Sequence, residues 1–308
     1  MINSSLHDHG EWGDDEDVSE EAHVTHDGST DPDRPYVVRE DDAGVVTLTL
    51  NRPERYNPLS SAMIAALDDH LTALAVDTSA RVVVLAGAGK GFSAGHDLGE
   101  MRAHADDADW QRQLFEDCSA MMLALTRLPQ PVIARVHGIA TAAGAQLVSM
   151  CDLAVAAQEA RFALPGVNIG VFCSTPAVGV ARNVGRKRAM ELLLTGDPID
   201  AATALDWGLV NRVVAADALD AEVARFAAAV VARSGPVIAN GKQTFYEQLD
   251  RPLRSAYDRA GEAMVCDVTG PDAVEGIAAF LGKRAPSWPS ASTRTSTGTT
   301  GPAGSTTA

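Results

Sequence analysis

Two segments of this chain share one layout. Gly91-Phe-Ser-Ala-Gly-His-Asp-Leu98 and, about 45 residues on, His137-Gly-Ile-Ala-Thr-Ala-Ala-Gly-Ala-Gln-Leu147 each follow an apolar run and lead toward a helical stretch. The runs before them, Arg81-Val-Val-Val-Leu-Ala86 and Pro131-Val-Ile-Ala-Arg-Val136, are apolar on both faces and read as buried strands. Strands of that kind suit near-parallel sheets covered by helices, so the expected class is α/β. Small-residue turns also leave backbone N–H groups free to point outward. Two such turns that converge can form an oxyanion hole.

The surrounding pattern agrees with this class. Gly44-Val-Val-Thr-Leu-Thr-Leu50 and Asp152-Leu-Ala-Val-Ala156 read as further strands. Asn51 to Pro58, with two prolines and two asparagines, reads as a loop. Ser60 is placed to cap a helix running to about Val76, with Met63, Ile64, Leu67, Leu71 and Leu74 on one face. Trp110–Arg127 and Ala145–Met150 are predicted helical. From Asp217 to Leu281 the pattern turns helical, punctuated by Asp217, Ser234 and Pro271.

The formal charge of −16 is unevenly spread. Residues 1–34 hold eleven acids and one base, Arg34, which leaves −6 on the remainder. So acidic and apolar-poor a stretch buries too little surface to offset its ordering entropy. The expected organisation is a disordered acidic tail over 1–35, a sheet-containing core over 36–215 and a helical region over 216–288. A disordered Ser/Thr/Gly/Pro-rich tail over 289–308 completes it.

Other classes are disfavoured. No apolar run approaches the ~18 residues of a membrane span, and no membrane partner is expected. The cysteines, Cys118, Cys151, Cys173 and Cys266, show neither metal-type pairing nor a disulfide framework. With an acidic first segment that lacks a signal peptide's basic and apolar regions, they lead to the expectation of a cytoplasmic protein with reduced thiols. No metal site or separate cofactor is expected. Gly87-Ala-Gly-Lys-Gly91 lacks the spacing of a triphosphate loop. The first helix carries Asp68, Asp69 and His70 instead of a lysine-rich face, so no nucleic-acid partner is expected.

Five ordered segments together resemble the enoyl-CoA hydratase/isomerase (crotonase) superfamily over residues 40–286. They are Asn51-Arg-Pro-Glu-Arg-Tyr-Asn-Pro-Leu59, Gly91–Leu98, Gly138–Leu147 with Cys151-Asp152, Thr195-Gly-Asp-Pro-Ile-Asp-Ala201, and Trp207-Gly-Leu-Val210. The resemblance implies a crotonase spiral of ββα units with a helical C-terminal trimerisation region. It also implies trimers or dimers of trimers that bind acyl-CoA thioesters, with CoA arriving as part of the substrate.

Carried over by motif, the family's two thioester-binding N–H groups fall on His96 and Ala143. The two glutamates with which its hydratases position and deprotonate water fall on Gln146 and Gly166, neither of which titrates. A positioned acid or base typically contributes ~10²–10⁴-fold to rate. Three side chains invite a substitute role. His96 either faces the pocket as a base or points away while its N–H works. Cys173 is either a thioesterase-like nucleophile, though without a local histidine, or a buried structural thiol. Asp97 is placed to cap the next helix. His137 is read as structural, and His70 and His104 receive no role.

For CoA, the resemblance places Arg55 at the nucleotide phosphates, Asn57 as the residue fixing that turn, and Leu59 beside the pantetheine. Ala94, His96, Asp97, Leu98, Ala143 and Cys173 complete the set around the acyl group. Phe280 and Lys283 match a C-terminal helix that covers the adenine, often a neighbouring subunit's; the alternative is a solvated basic helix end. Two functions stay open: an enzyme of acyl-CoA metabolism with a non-standard residue set, or a non-catalytic acyl-CoA-binding carrier or regulator.

Overall fold

The computed structural model describes residues 34–289. The expected tails over 1–35 and 289–308 therefore lie, apart from their innermost residues, outside the described part.

The chain begins with an antiparallel hairpin of β1 (Val37–Asp42) and β2 (Val45–Leu50). Helix α1 (Ser61–Val76) follows, and the Ser60 side chain accepts a hydrogen bond from the Met63 N–H at its start. Its buried side chains are Met63, Ile64, Leu67, Leu71 and Leu74, the face its spacing predicts. Three ββα units come next. The first is β3 (Val82–Gly87), β4 (Gly91–Ser93) and α2 (Leu98–Ala103), extended by the long α3 (Ala108–Arg127). The second is β5 (Val132–Val136), β6 (Ile139–Thr141) and α4 (Ala143–Met150). The third is β7 (Leu153–Ala157), β8 (Arg161–Ala163) and α5 (Ser174–Asn183).

Helix α6 (Arg186–Thr195), β9 (Ile199–Asp200), α7 (Ala201–Trp207) and β10 (Arg212–Val214) close the core. Helices α8 (Leu219–Val231), α9 (Gly235–Leu249), α10 (Leu253–Val268) and α11 (Pro271–Leu281) follow. Ser234 caps α9 and Pro271 opens α11, as the punctuation suggests.

The strands form two sheets. The larger runs β1-β2-β3-β5-β7-β10, parallel throughout except at β1–β2. The smaller runs β4-β6-β8-β9. Successive side chains on a strand point to opposite faces. Val83, Leu85, Val132, Ala134, Ala154 and Ala156 thus enter the main core. Their neighbours Val82, Val84, Ile133, Val155 and Ala157 pack against Leu219, Val223 and Ala227 of α8. Burial on both faces explains why these strands read as unbroken apolar runs.

The last three helices join the core differently. Helix α9 buries only Thr244 fully, α10 only Ala256 and Ala263. Polar ties hold α9 instead. Lys242 Nζ donates to the carbonyls of Leu125 (2.8 Å) and Gln130 (2.9 Å) and pairs with Asp152 Oδ2 at 2.7 Å. Tyr246 donates to Asp152 Oδ1 at 2.9 Å. Meanwhile Leu253, Tyr257, Met264, Val265, Phe280 and Leu281 of α10 and α11 stand exposed.

Candidate functional site

The first small-residue turn, Ala94-Gly95-His96, joins β4 to α2 and is stitched to the Arg52–Leu59 loop. Ala94 N–H donates to Tyr56 O at 2.8 Å, Leu59 N–H to Gly95 O at 2.7 Å, and Leu59 and His96 form a parallel bridge. Asn57, fully buried, organises that loop. Its Oδ1 accepts the Arg52 N–H, and its Nδ2 lies within hydrogen-bond reach of the Ala88, Gly91 and Phe92 carbonyls. Gly95 has φ 85°, in the region that favours glycine.

The second turn, Thr141-Ala142-Ala143, joins β6 to α4. Ala142 has φ 48° and ψ −119°, a strained setting for a residue with a β-carbon. Its N–H donates to Ala163 O, and its carbonyl accepts the Gln146 N–H. The two turns touch. Thr141 Oγ1 donates to Ala94 O at 3.1 Å. A β-carbon on Gly95 would stand 2.9 Å from Ala142 Cβ and 3.0 Å from the Ala143 nitrogen. Neither the His96 nor the Ala143 N–H donates to an acceptor among the described residues, and Ala143 is the first residue of α4, where the helix dipole favours negative charge.

His96, Gln146 and Cys173 stand near these turns with little polar company. His96 packs edge-on to Phe115, ring centroids 5.2 Å apart, and its Nε2 is buried without a partner. Burial pushes its pKa down to about 4, against a smaller upward pull from Glu100. Gln146 is buried, and its Oε1 has no partner among the described residues. Burial raises the pKa of the Cys173 thiol, opposed by the Gly166 N–H. Gly166 is walled in, since a β-carbon there would stand 2.4 Å from Val171 O and 2.8 Å from Cys173 Sγ.

Charged contacts gather on the α2 side of the first turn. Asp97 caps α2, its Oδ1 accepting from Gly99 N–H (2.9 Å) and Glu100 N–H (3.3 Å). The same carboxylate grips Arg55, with Nη2–Oδ1 at 2.9 Å and Nη1–Oδ2 at 2.8 Å. Glu100 in turn accepts from Ser61 Oγ (2.6 Å) and Ser61 N–H (2.9 Å). Ala94 and Leu98 are exposed beside this cluster. The sequence reading missed Phe115 and Glu100. Their partners lie far away in sequence, so no local spacing signals them.

The structure does not bring every expected residue to one place. Phe280 lies in the last turn of α11, 82% exposed, and Lys283 follows just beyond its end. No hydrogen bond, ion pair or ring contact among the described residues links them to Arg55 or His96. His137 Nε2 lies 2.9 Å from Gly89 O, and His104 stacks on Trp110 at 4.1 Å. No helix among the described residues is long and apolar enough to cross a membrane. Nor do three or more His, Cys, Asp or Glu side chains there converge as metal ligands.

A model of the family described as enoyl-CoA hydratase/isomerase matches residues 40–291. The chain belongs to the enoyl-CoA hydratase/isomerase family.

Within this family it is similar to mouse enoyl-CoA hydratase domain-containing protein 3, mitochondrial, at 44% identity over 85% of this chain and 86% of that protein. Among solved structures, an enoyl-CoA hydratase from Mycobacterium smegmatis superposes with a TM-score of 0.81 at 54% identity, covering 83% of this chain and 99% of that one. Human enoyl-CoA hydratase domain-containing protein 3 gives 0.80 at 42%, covering 83% and 100%. These neighbours share the crotonase fold, and the sheet order and ββα repeats above are its form in this family member. One expectation is corrected. The mouse, rat and human relatives at 43–44% identity are named as mitochondrial, which points away from the cytoplasm. Free thiols do not distinguish the two compartments.

Proposed function

We propose that this chain binds acyl-CoA thioesters by directing the N–H groups of His96 and Ala143 at the thioester oxygen. The contact between the Gly95 and Ala142 turns carries this reading. It brings together two N–H groups without internal acceptors, one of them at the start of a helix. A thioester becomes an enolate when its α-proton leaves or a nucleophile adds at its β-carbon. Each preorganised donor aimed at that oxygen is typically worth about 3 kcal/mol.

The reading extends to a member of the family that polarises its ligand without the usual two-carboxylate chemistry. Gln146 and Gly166 hold no proton to give or take. Burial keeps His96 neutral through the physiological range and Cys173 as a thiol. Hydration of an enoyl-CoA is then slow, and binding in a carrier or regulatory role is the better-supported activity. Arg55 would meet the nucleotide phosphates and Leu59 the pantetheine. The exposed apolar faces of α10 and α11, with Phe280 and Lys283 at their end, suit a homo-oligomer in which a neighbouring copy covers the adenine.

The test mixes purified protein with crotonyl-CoA and follows both binding and loss of the enone absorbance. Binding without turnover above buffer is expected. Rapid hydration would refute the binding-only reading, and absence of binding would refute the site itself.

A further inference from the structure

The Arg55–Asp97 pair is built asymmetrically. The Asp97 side chain is 7% exposed and that of Arg55 56%. The carboxylate thus faces inward and the guanidinium outward. All four atoms of the fork are engaged, Nη1 with Oδ2 and Nη2 with Oδ1. Such a bidentate pair fixes the guanidinium plane as well as its position. Gly99 lies against the pair: a β-carbon there would crowd Asp97 Oδ1 at 3.2 Å and meet Arg55 Nη2 at an ordinary contact distance of 3.6 Å.

Asp97 is also the residue after His96, and it caps α2 through the same Oδ1 that holds Arg55. The loop bearing Arg55 reaches the His96 turn by a second route, through Leu59 N–H to Gly95 O. With the Ala94 N–H to Tyr56 O bond, three short connections therefore join the 52–59 loop to the turn whose N–H would face the thioester.

We propose that Asp97 is a positioning residue, which preorders Arg55 as a clamp for the phosphates of the CoA nucleotide and ties that clamp to the His96 turn. This rests on the acyl-CoA reading. A free arginine side chain loses rotamer freedom when it grips a phosphate, and holding it beforehand removes much of that loss. The outer N–H groups of the fork, which point away from Asp97, stay available to an anion.

Isothermal titration of the full chain with two probes tests this: crotonyl-CoA, and crotonyl-pantetheine, which lacks the nucleotide phosphates. Asparagine is as good a helix cap as aspartate, so Asp97→Asn keeps the cap and removes the charge that holds Arg55. It is expected to weaken crotonyl-CoA about ten-fold and crotonyl-pantetheine less than about two-fold. Arg55→Ala should do the same. Arg55→Lys, which keeps the charge and loses the fork, should fall between. Equal weakening of both probes by Asp97→Asn would overturn the proposal in favour of a plain structural role. So would unchanged or tighter crotonyl-CoA binding by Asp97→Asn when Arg55→Ala weakens it. If Arg55→Ala leaves crotonyl-CoA affinity intact, the phosphate clamp falls and the proposal with it. A chain that binds neither probe refutes the acyl-CoA reading on which both rest.

Discussion

Cys173 Sγ lies 2.8 Å from the point where a β-carbon on Gly166 would stand, and the Val171 carbonyl oxygen lies closer still. Backbone and sulfur have thus closed around position 166, leaving no room for a side chain there. Gly166→Ala is expected to lower unfolding free energy by ~1–3 kcal/mol through overpacking, and Gly166→Glu by more. Combining Gly166→Glu with Gln146→Glu should not restore hydration of crotonyl-CoA. Chemical denaturation and the enone assay check both. A double variant of undiminished stability that hydrates would refute the closed-pocket account.

His96 gives a stability signature with a definite sign. Its folded pKa, about 4, lies below the unfolded value of 6.5. Between these values the unfolded chain binds a proton that the folded chain refuses. Stability should therefore fall as pH drops from about 6.5 toward 4, by at most roughly 3 kcal/mol, and this contribution flattens below that. Subtracting the His96→Gln unfolding curve isolates it from the carboxylates. A difference independent of pH across this window would contradict the burial of the ring. Ligand affinity should also show no histidine step between pH 6 and 8.

Ala142 occupies backbone space that a β-carbon resists. Ala142→Val should cost ~1–3 kcal/mol, because a branched side chain tightens the same clash. Ala142→Gly should fall within ~1 kcal/mol of the parent, strain relief offsetting the looser unfolded chain. Thermal melts should rank valine lowest, and a valine variant as stable as the parent would refute the strained turn.

Lys242 is buried, and its charge depends on Asp152 and two carbonyls. Lys242→Met removes the counter-charge of the Asp152 carboxylate, leaving it the Tyr246 and Val132 donors, and is expected to cost ~3–5 kcal/mol. The double variant Lys242→Met/Asp152→Asn should recover part of that loss. Urea unfolding of the two single variants and the pair gives the coupling. Additive effects would show that the ion pair contributes nothing of its own.

Much of this architecture is legible from residue order. The face of α1 from Met63 to Leu74 follows from helical spacing, and β3, β5 and β7 follow from runs apolar on both faces. The second sheet does not. Strands of three residues, such as β4 and β6, are too short to show alternation. The two turns were legible as turns because glycine and alanine fill them. That they touch is a long-range fact no local pattern holds. The same limit hides the Arg55–Asp97 fork, whose partners stand 42 residues apart, and the closure of Gly166 by Val171 and Cys173. Location was misjudged for another reason: composition carries no address.

The polar ties of α9 bear on how the molecule breathes. A layer that buries so few apolar side chains, and leans on Lys242 and Tyr246, has little to hold it once those bonds part. Amide hydrogens of α9 to α11 should exchange through a partial opening that leaves the β3–β5–β7 ladder protected. Any neighbour that covers their bare faces would slow that exchange.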